Sequence, residues 1–230
     1  MPRQRPPAPW VQALASPRDV PSQALVLEEL RAAILSGRVR PGAAIPVDEV
    51  ATRFTLSSIP VREALKTLVA EGLVEHEPRG AYVVTRLTRA ELAELYVVRA
   101  SLETAALAPS VARATDEDVA VAASALRQLE AATAAGGSVD HHRWSRRFHL
   151  ALIEPCQMHR LLQMFERAWN VTEPGRPMSH ASAPATAALA ADHVAMLDAF
   201  AARDVDALIA QTGVHYARLQ QIVATMPIED

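Results

Sequence analysis

The chain has a single cysteine, Cys156, in 230 residues. No internal disulfide can form, and the composition suits a reducing cytoplasm. Glycine is scarce, at 8 residues, while alanine is abundant, a balance that favours helices over sheets and turns. No apolar run reaches the roughly 18 residues needed to span a bilayer, so no membrane partner is expected. The N-terminus carries Arg3 and Arg5 but no apolar core after them, so it is not expected to serve as a secretory signal. Neither sign of charge dominates: the net charge of −3 argues neither for nor against nucleic acid. What is present is apolar surface. At 50% hydrophobic residues, the chain can bury the core of one large or two small domains.

The residue pattern divides the chain. Residues 1–21 hold six of the 16 prolines and read as a mobile Pro-rich tail unable to hold a helix, although Trp10 and Val11 could still dock. Residues 22–85 mix helical and β-like patterns. Residues 86–89 form a joint, where Thr88 can cap the next helix with Glu91 three positions on, as in a capping box. Residues 90–226 read as helix after helix.

In the first domain, Leu25, Leu27, Leu30, Ile34 and Leu35 follow a helical spacing that Gly37 ends, with a turn at Pro41-Gly42. A short helix over about 47–54 turns Val50, Ala51 and Phe54 inward. The next begins with Ser57 as N-cap and Pro60 in the first turn, and its apolar stripe is Val61, Ala64, Leu65 and Leu68. Two short runs, 73–75 and 81–85, flank a Pro-Arg-Gly turn and predict a β-hairpin. Three helices and a hairpin make a winged helix-turn-helix, whose second turn helix enters a DNA major groove. Ser58, Arg62 and Lys66, four apart, share the face opposite the apolar stripe. Arg62 suits a guanine edge or a phosphate, Lys66 a phosphate, and Arg79 and Gly80 sit at the wing tip. Against this, an Arg and a Lys on an exposed helix are usually only solvated. Residues 22–85 also hold seven Lys/Arg against eight Asp/Glu, so any DNA contact must come from local placement of charge.

The run "LRAAILSGRVRPGAAI", then "VDEVATRF", then "SSIPVREALKTLVAEGLVEHEPRGAYVV" resembles the DNA-binding domain of GntR-family bacterial transcription regulators. The pieces "PVREAL", "EGLV" and "RGAYV" fall in the family's order and spacing. The resemblance implies that Arg62 and Gly80 lie at the DNA. It also shows departures: Ser58 and Ile59 replace the Arg and Thr of the common "SRTPVREAL", and Glu49 stands where an arginine is sometimes found. The operator therefore cannot be copied from relatives.

The second domain carries about six helical patterns, near 89–113, 116–135, 140–154, 158–172, 185–202 and 204–225, with a polar loop over 172–184 and Asp204 as a cap. Three histidines fall on apolar stripes: His149 with Leu152 and Ser145, His193 among Leu189, Met196 and Phe200, and His215 among Leu208, Leu219 and Ile222. A lone histidine there is usually a satisfied core residue. Three on separate helices could converge on a divalent metal, for which neutral imidazole is a common ligand. Arg99 lies on a face with Leu92, Leu95 and Leu102, and a buried guanidinium needs an anion: Glu103 one turn on, or a ligand carboxylate. Cys156 reads as a small buried residue, His141-His142 as part of a solvated face, and Trp144 and Trp169 as core.

"LYVVRASLETAALAPSVA", "RRFHLAL", "ADHVAML" and "VHYARL" resemble the all-helical FCD domain of the FadR subgroup of GntR regulators. That resemblance implies a homodimer that binds a two-fold DNA operator, a small organic acid as effector, and a metal held by one Asp and three His. His149, His193 and His215 fall on the family's histidines. The aspartate of its D-x3-H pattern is Ser145 here, and Asp140 lies on the far side of the helix. Three histidines and water still make a workable zinc site, so the expectation is one divalent ion, zinc or nickel, per chain. The alternative is a metal-free pocket in which Arg99, Ser145 and the histidines hold an acidic effector directly. The expected fold is mainly α: an N-terminal winged helix-turn-helix and a C-terminal helical bundle. The expected function is a ligand-controlled DNA-binding repressor rather than an enzyme. Two readings compete with it: a metal-dependent hydrolase using the three histidines, and a helical scaffold without DNA contact.

Overall fold

The computed structural model describes residues 8–15, 22–78, 80–136, 138–175 and 180–227, and the chain forms two compact units, Met1–Arg86 and Leu87–Asp230.

The first unit contains α1 (Pro9–Gln12), α2 (Gln23–Leu35), β1 (Ala44–Ile45), α3 (Val47–Phe54), α4 (Ser58–Ala70), β2 (Val74–His76) and β3 (Tyr82–Val84). The Ser22 side chain caps α2 by accepting from the Leu25 N–H. Gly37 and Gly42 take left-handed φ values of 67° and 77°, as the two turns require. Val26, Leu30 and Ile34 of α2, Val50 and Phe54 of α3, and Val61, Leu65 and Leu68 of α4 meet in one core, with Val84 of the hairpin beneath them. Arg31 on α2 clamps Glu71 at the end of α4 through two parallel bonds, Nε to Oε2 at 2.9 Å and Nη2 to Oε1 at 2.5 Å.

Four details differ from the sequence expectation. The hairpin strands pair Val74 with Val84 and His76 with Tyr82, so β2 starts one residue later than expected. A third strand, β1, pairs antiparallel with β3 and completes a sheet ordered β1-β3-β2; at two residues it is too short to show alternation. Ser57 occupies the N-cap position of α4, but its side chain makes no capping bond. The tail is also not mobile throughout. Residues 8–15 pack on the core, with Val11 and Leu14 fully buried. The Ala8 N–H donates to the Glu49 carboxylate at 2.6 Å and the Ala15 N–H to Glu29 at 3.0 Å, and Arg53 donates to the Leu14 carbonyl. Pro9, expected to prevent a helix, starts one, because the first turn needs no N–H from it.

The second unit consists of α5 (Arg89–Val111), α6 (Asp116–Ala134), α7 (Ser138–Ile153), α8 (His159–Thr172), α9 (Ala183–Ala201) and α10 (Val205–Thr225), with 3-10 turns at Glu154–Cys156 and Glu173–Gly175. Its boundaries are set by caps. Thr88 with Glu91, and Thr115 with Asp118, form complete capping boxes; Asp204 caps α10 through the Ala207 N–H at 3.0 Å. α5 packs on α7, α8 and α10, α6 on α7 and α9, and α9 on α10. Phe148, Phe165, Phe200 and Leu107 fill the core, and Cys156 is buried. Among the described residues no helix is long and apolar enough to cross a membrane.

If the N-terminal segment is part of the first unit's core, Leu14→Ala will cost about 2–5 kcal/mol of unfolding free energy in urea titration. An unchanged midpoint would mean that the segment does not pack in solution.

Candidate functional site

Two regions gather the chemistry. In the first unit, α4 buries Val61, Ala64, Leu65 and Leu68 and leaves Arg62, Glu63 and Lys66 exposed. Ser57 is exposed at its start and Ser58 is half-buried. Lys66 is not simply solvated: its ammonium lies 2.7 Å from Glu63, which raises its pKa mainly through that hydrogen bond. Gly80 sits at the hairpin turn with φ 84°, its N–H bonded to the Glu77 carbonyl at 2.8 Å, and nothing lies within 4 Å of where a Cβ would be. The backbone there is open to close approach. Arg79 lies outside the described residues. Ile59, which the sequence reading noted only as a departure from the family pattern, is 70% exposed on α4.

In the second unit, side chains from all six helices line a cavity of about 270 Å3, near the lower end of ligand pockets at roughly 300–1,000 Å3. Leu126 and Leu129 from α6, Leu189 and Ala190 from α9, Leu219 from α10 and Tyr96 from α5 make its apolar wall. His149 from α7, His193 from α9 and His215 from α10 converge at one end, one ring nitrogen of each within 4.8 Å of the others. Ring centroids are 4.5 Å apart for His193 and His215, 5.0 Å for His149 and His215, and 5.3 Å for His149 and His193. Burial, then the neighbouring histidines, holds His193 and His215 well below the ordinary imidazole range, so both are neutral near pH 7.

Glu103 organises this end. Its carboxylate is fully buried and receives Nδ1 of His149 at 2.7 Å on one oxygen and the Tyr216 hydroxyl at 2.6 Å on the other. With Nδ1 as donor, the lone pair of His149 sits on Nε2. That atom, Nε2 of His193 and Nδ1 of His215 are buried nitrogens without hydrogen-bond partners. Three imidazoles, each with an unanswered nitrogen and within reach of one another, fit a divalent metal.

The expected pairing of Arg99 with Glu103 does not form. Among the described residues no carboxylate forms an ion pair with Arg99, because both Glu103 oxygens are already engaged. Its guanidinium lies 3.5 Å from the Trp169 ring centroid and 4.8 Å from that of Tyr96, and donates to Thr172 Oγ1 at 3.2 Å. Burial pulls its pKa down, but Tyr216, Tyr96, Glu103 and Glu173 together push it up by more, so the charge is retained. Nε has no hydrogen-bond partner. A buried, charged guanidinium facing a cavity is a receptor for an anion.

Ser145 lines the cavity, as do His141 and His142; the expected solvated face is corrected here. His142 is 7% exposed, and Nδ1 of His141 bonds Thr133 Oγ1 at 2.8 Å. The pairing of α6 with α7 turns these residues inward. Trp169, expected in the core, also forms cavity wall. Asp140 is exposed and absent from the site. A different carboxylate lies nearby: Asp192, buried at 6% exposure, with Oδ2 at 3.9 Å from His215 Nδ1 and 3.0 Å from Arg218 Nε.

Comparison with known proteins agrees with both regions. Residues 23–84 match the family model "Bacterial regulatory proteins, gntR family", and residues 94–218 match the "FCD domain" model. The chain belongs to the GntR family and carries an FCD domain. A gluconate operon transcriptional repressor of Bacillus subtilis (strain 168) is 44% identical over 79 residues, 34% of this chain and 32% of that protein. The chain thus spans about a third of that relative's length. The HTH-type transcriptional repressor GlaR of Escherichia coli (strain K12) is 34% identical over 144 residues, 60% of this chain and 64% of that protein. The solved structure of E. coli McbR/YncC superposes with a TM-score of 0.77 at 26% identity, covering 88% of this chain and 96% of that one. These matches are to a family of regulators and give no support to the hydrolase reading.

In this GntR-family chain the sequence named Glu103 only as a partner for Arg99 and missed its bonds to His149 and Tyr216, as well as Thr172 and the stacking role of Trp169. The one available signal was the Tyr beside His215. Glu103→Ala will leave the His149 and Tyr216 donors unpaired and cost about 3–5 kcal/mol in chemical denaturation. Tyr216→Phe, which removes one bond, will cost about 1.5–3 kcal/mol. Equal small losses in both would contradict the central place given to Glu103.

Proposed function

We propose that this protein is a DNA-binding transcriptional repressor whose operator affinity is set by a small acidic metabolite in the helical unit. Arg99 carries the reading: a buried charge without an ion-pair partner, on the wall of a cavity, is answered by a ligand carboxylate. The apolar wall of Leu126, Leu129, Leu189 and Leu219 suits a ligand whose body is apolar. The winged unit supports the DNA side. Arg62 stands exposed on α4, with Ser57, Ser58 and Lys66 beside it, and Gly80 belongs to the wing; Arg79, which precedes it in sequence, is proposed as a further contact. Two chains paired as a homodimer would present two such helices to a two-fold operator. Ligand binding and DNA binding are then coupled, and each changes the other by the same factor. The names of related repressors support the direction of control.

In electrophoretic or anisotropy binding to its own promoter region, Arg62→Ala will lose at least about tenfold in affinity with unchanged circular dichroism, the order expected of one lost bidentate contact. Arg99→Met will bind DNA as wild type does but no longer respond to candidate acids. Absence of wild-type binding to any promoter fragment would favour a helical scaffold instead.

We also propose that His149, His193 and His215 hold one divalent ion, zinc or nickel. When bound, it would supply a Lewis-acid site for an oxygen ligand such as an effector carboxylate. Protein purified without chelator or histidine tag should contain about one ion per chain by elemental analysis, lost in His193→Ala. No ion above background would leave the histidines as neutral hydrogen-bonding groups of the pocket.

A further inference from the structure

Ile59 is 70% exposed, more than any other exposed large apolar residue of the described chain. It belongs neither to the first unit's core nor to the partly buried residues packed against it. Positions 59, 62, 63 and 66 recur at the spacing that places side chains together on one helix face, and all four are exposed. Ile59 therefore heads the stripe that carries Arg62 and Lys66, opposite the buried stripe of Val61, Leu65 and Leu68. Its two neighbours on that stripe answer each other: Glu63 and Lys66 are 2.7 Å apart. That leaves Arg62 and Ile59 as the groups with open contact capacity at this end of the helix.

We propose that Ile59 reads a thymine by packing on its C5-methyl group in the major groove, and so helps set the operator sequence. The inference rests on the reading of α4 as the helix that enters the groove. The thymine methyl is the one apolar group that base edges present there, and apolar side chains contact it. Residues at the start of a recognition helix are the ones that reach base edges. Ile59 is the second residue of α4. Arg62 follows three residues on, about 4.5 Å along the axis at 1.5 Å per residue. The thymine and the base read by Arg62 therefore lie within roughly one to two base steps of about 3.4 Å. Replacing the family's threonine by isoleucine exchanges a contact that can hydrogen-bond for one that cannot, rather than deleting it.

The test uses a duplex enriched from a random pool by the wild-type protein. Each thymine of a half-site is replaced in turn by deoxyuridine, which lacks only the methyl group, and affinity is read by anisotropy at fixed salt. One position per half-site should weaken wild-type binding about fourfold, the size expected for burial of a single methyl, and about 15-fold when both half-sites are changed. Ile59→Ala should bind the thymine and deoxyuridine duplexes equally. Wild type that tolerates deoxyuridine at every position, or an Ile59→Ala variant that keeps the full thymine preference, overturns the assignment. If Arg62→Ala still abolishes binding in that case, the groove-reading role of α4 stands without Ile59. Failure of the wild type to enrich any sequence would overturn the DNA reading itself.

Discussion

The helical unit depends on one buried carboxylate. Glu103 lies on α5, His149 on α7 and Tyr216 on α10, and its two oxygens tie the three helices together at 2.7 Å and 2.6 Å. A buried carboxylate is tolerated only when its oxygens are answered, and here two donors answer them. The same saturation has a second effect. Arg99, one turn earlier on α5, is left without a carboxylate partner and turns to Trp169, Tyr96 and Thr172. Aromatic faces stabilise a guanidinium but do not neutralise it. Engagement of Glu103 by His149 and Tyr216 thus leaves Arg99 without an ion pair among the described residues, which is the basis for proposing an outside anion as its partner.

That arrangement explains where sequence reasoning reached and where it stopped. The helical periodicity brought His149, His193 and His215 to inward faces, because burial of a stripe is a local property of a helix. Their convergence and their partners are not local. Arg99 and Glu103 at i and i+4 have the spacing of an intrahelical pair, although in the less favourable order with the cation first. The rule failed because two stronger claims on Glu103 come from helices distant in the chain. His141 and His142 were misjudged for a related reason: polar residues on α7 look solvated until α6 packs over them.

The fold was more legible at helix ends than in its smallest pieces. Thr88 with Glu91, and Asp204, cap as their spacing predicts, since a cap needs only residues within one turn. β1 and α1 have no such internal logic. At two and four residues they exist because β3 offers an edge and because α3 offers Glu49 and Arg53 as partners. Glu49 illustrates how a departure from the family pattern acquires another use. Where an arginine would face phosphate, a carboxylate accepts the Ala8 N–H and holds the N-terminal segment to the core.

The DNA-reading unit follows from the same economy of charge. Its net charge is near zero, and one of its stripe cations, Lys66, is already paired with Glu63. Neutralising few phosphates means releasing few counterions, which keeps sequence-independent affinity low and only weakly sensitive to salt. A unit of this kind discriminates sites through contacts to base edges more than through attraction to the backbone. An arginine and an exposed isoleucine on one helix face, as proposed above, would supply two such contacts of opposite character, one polar and one apolar. The helical unit supplies the converse: among the described residues a buried guanidinium without an ion pair, on a cavity lined by leucines at one side and histidines at the other, where a low dielectric strengthens its field. In both units the proposed functional arginine, Arg62 or Arg99, is a side chain that makes no ion pair among the described residues.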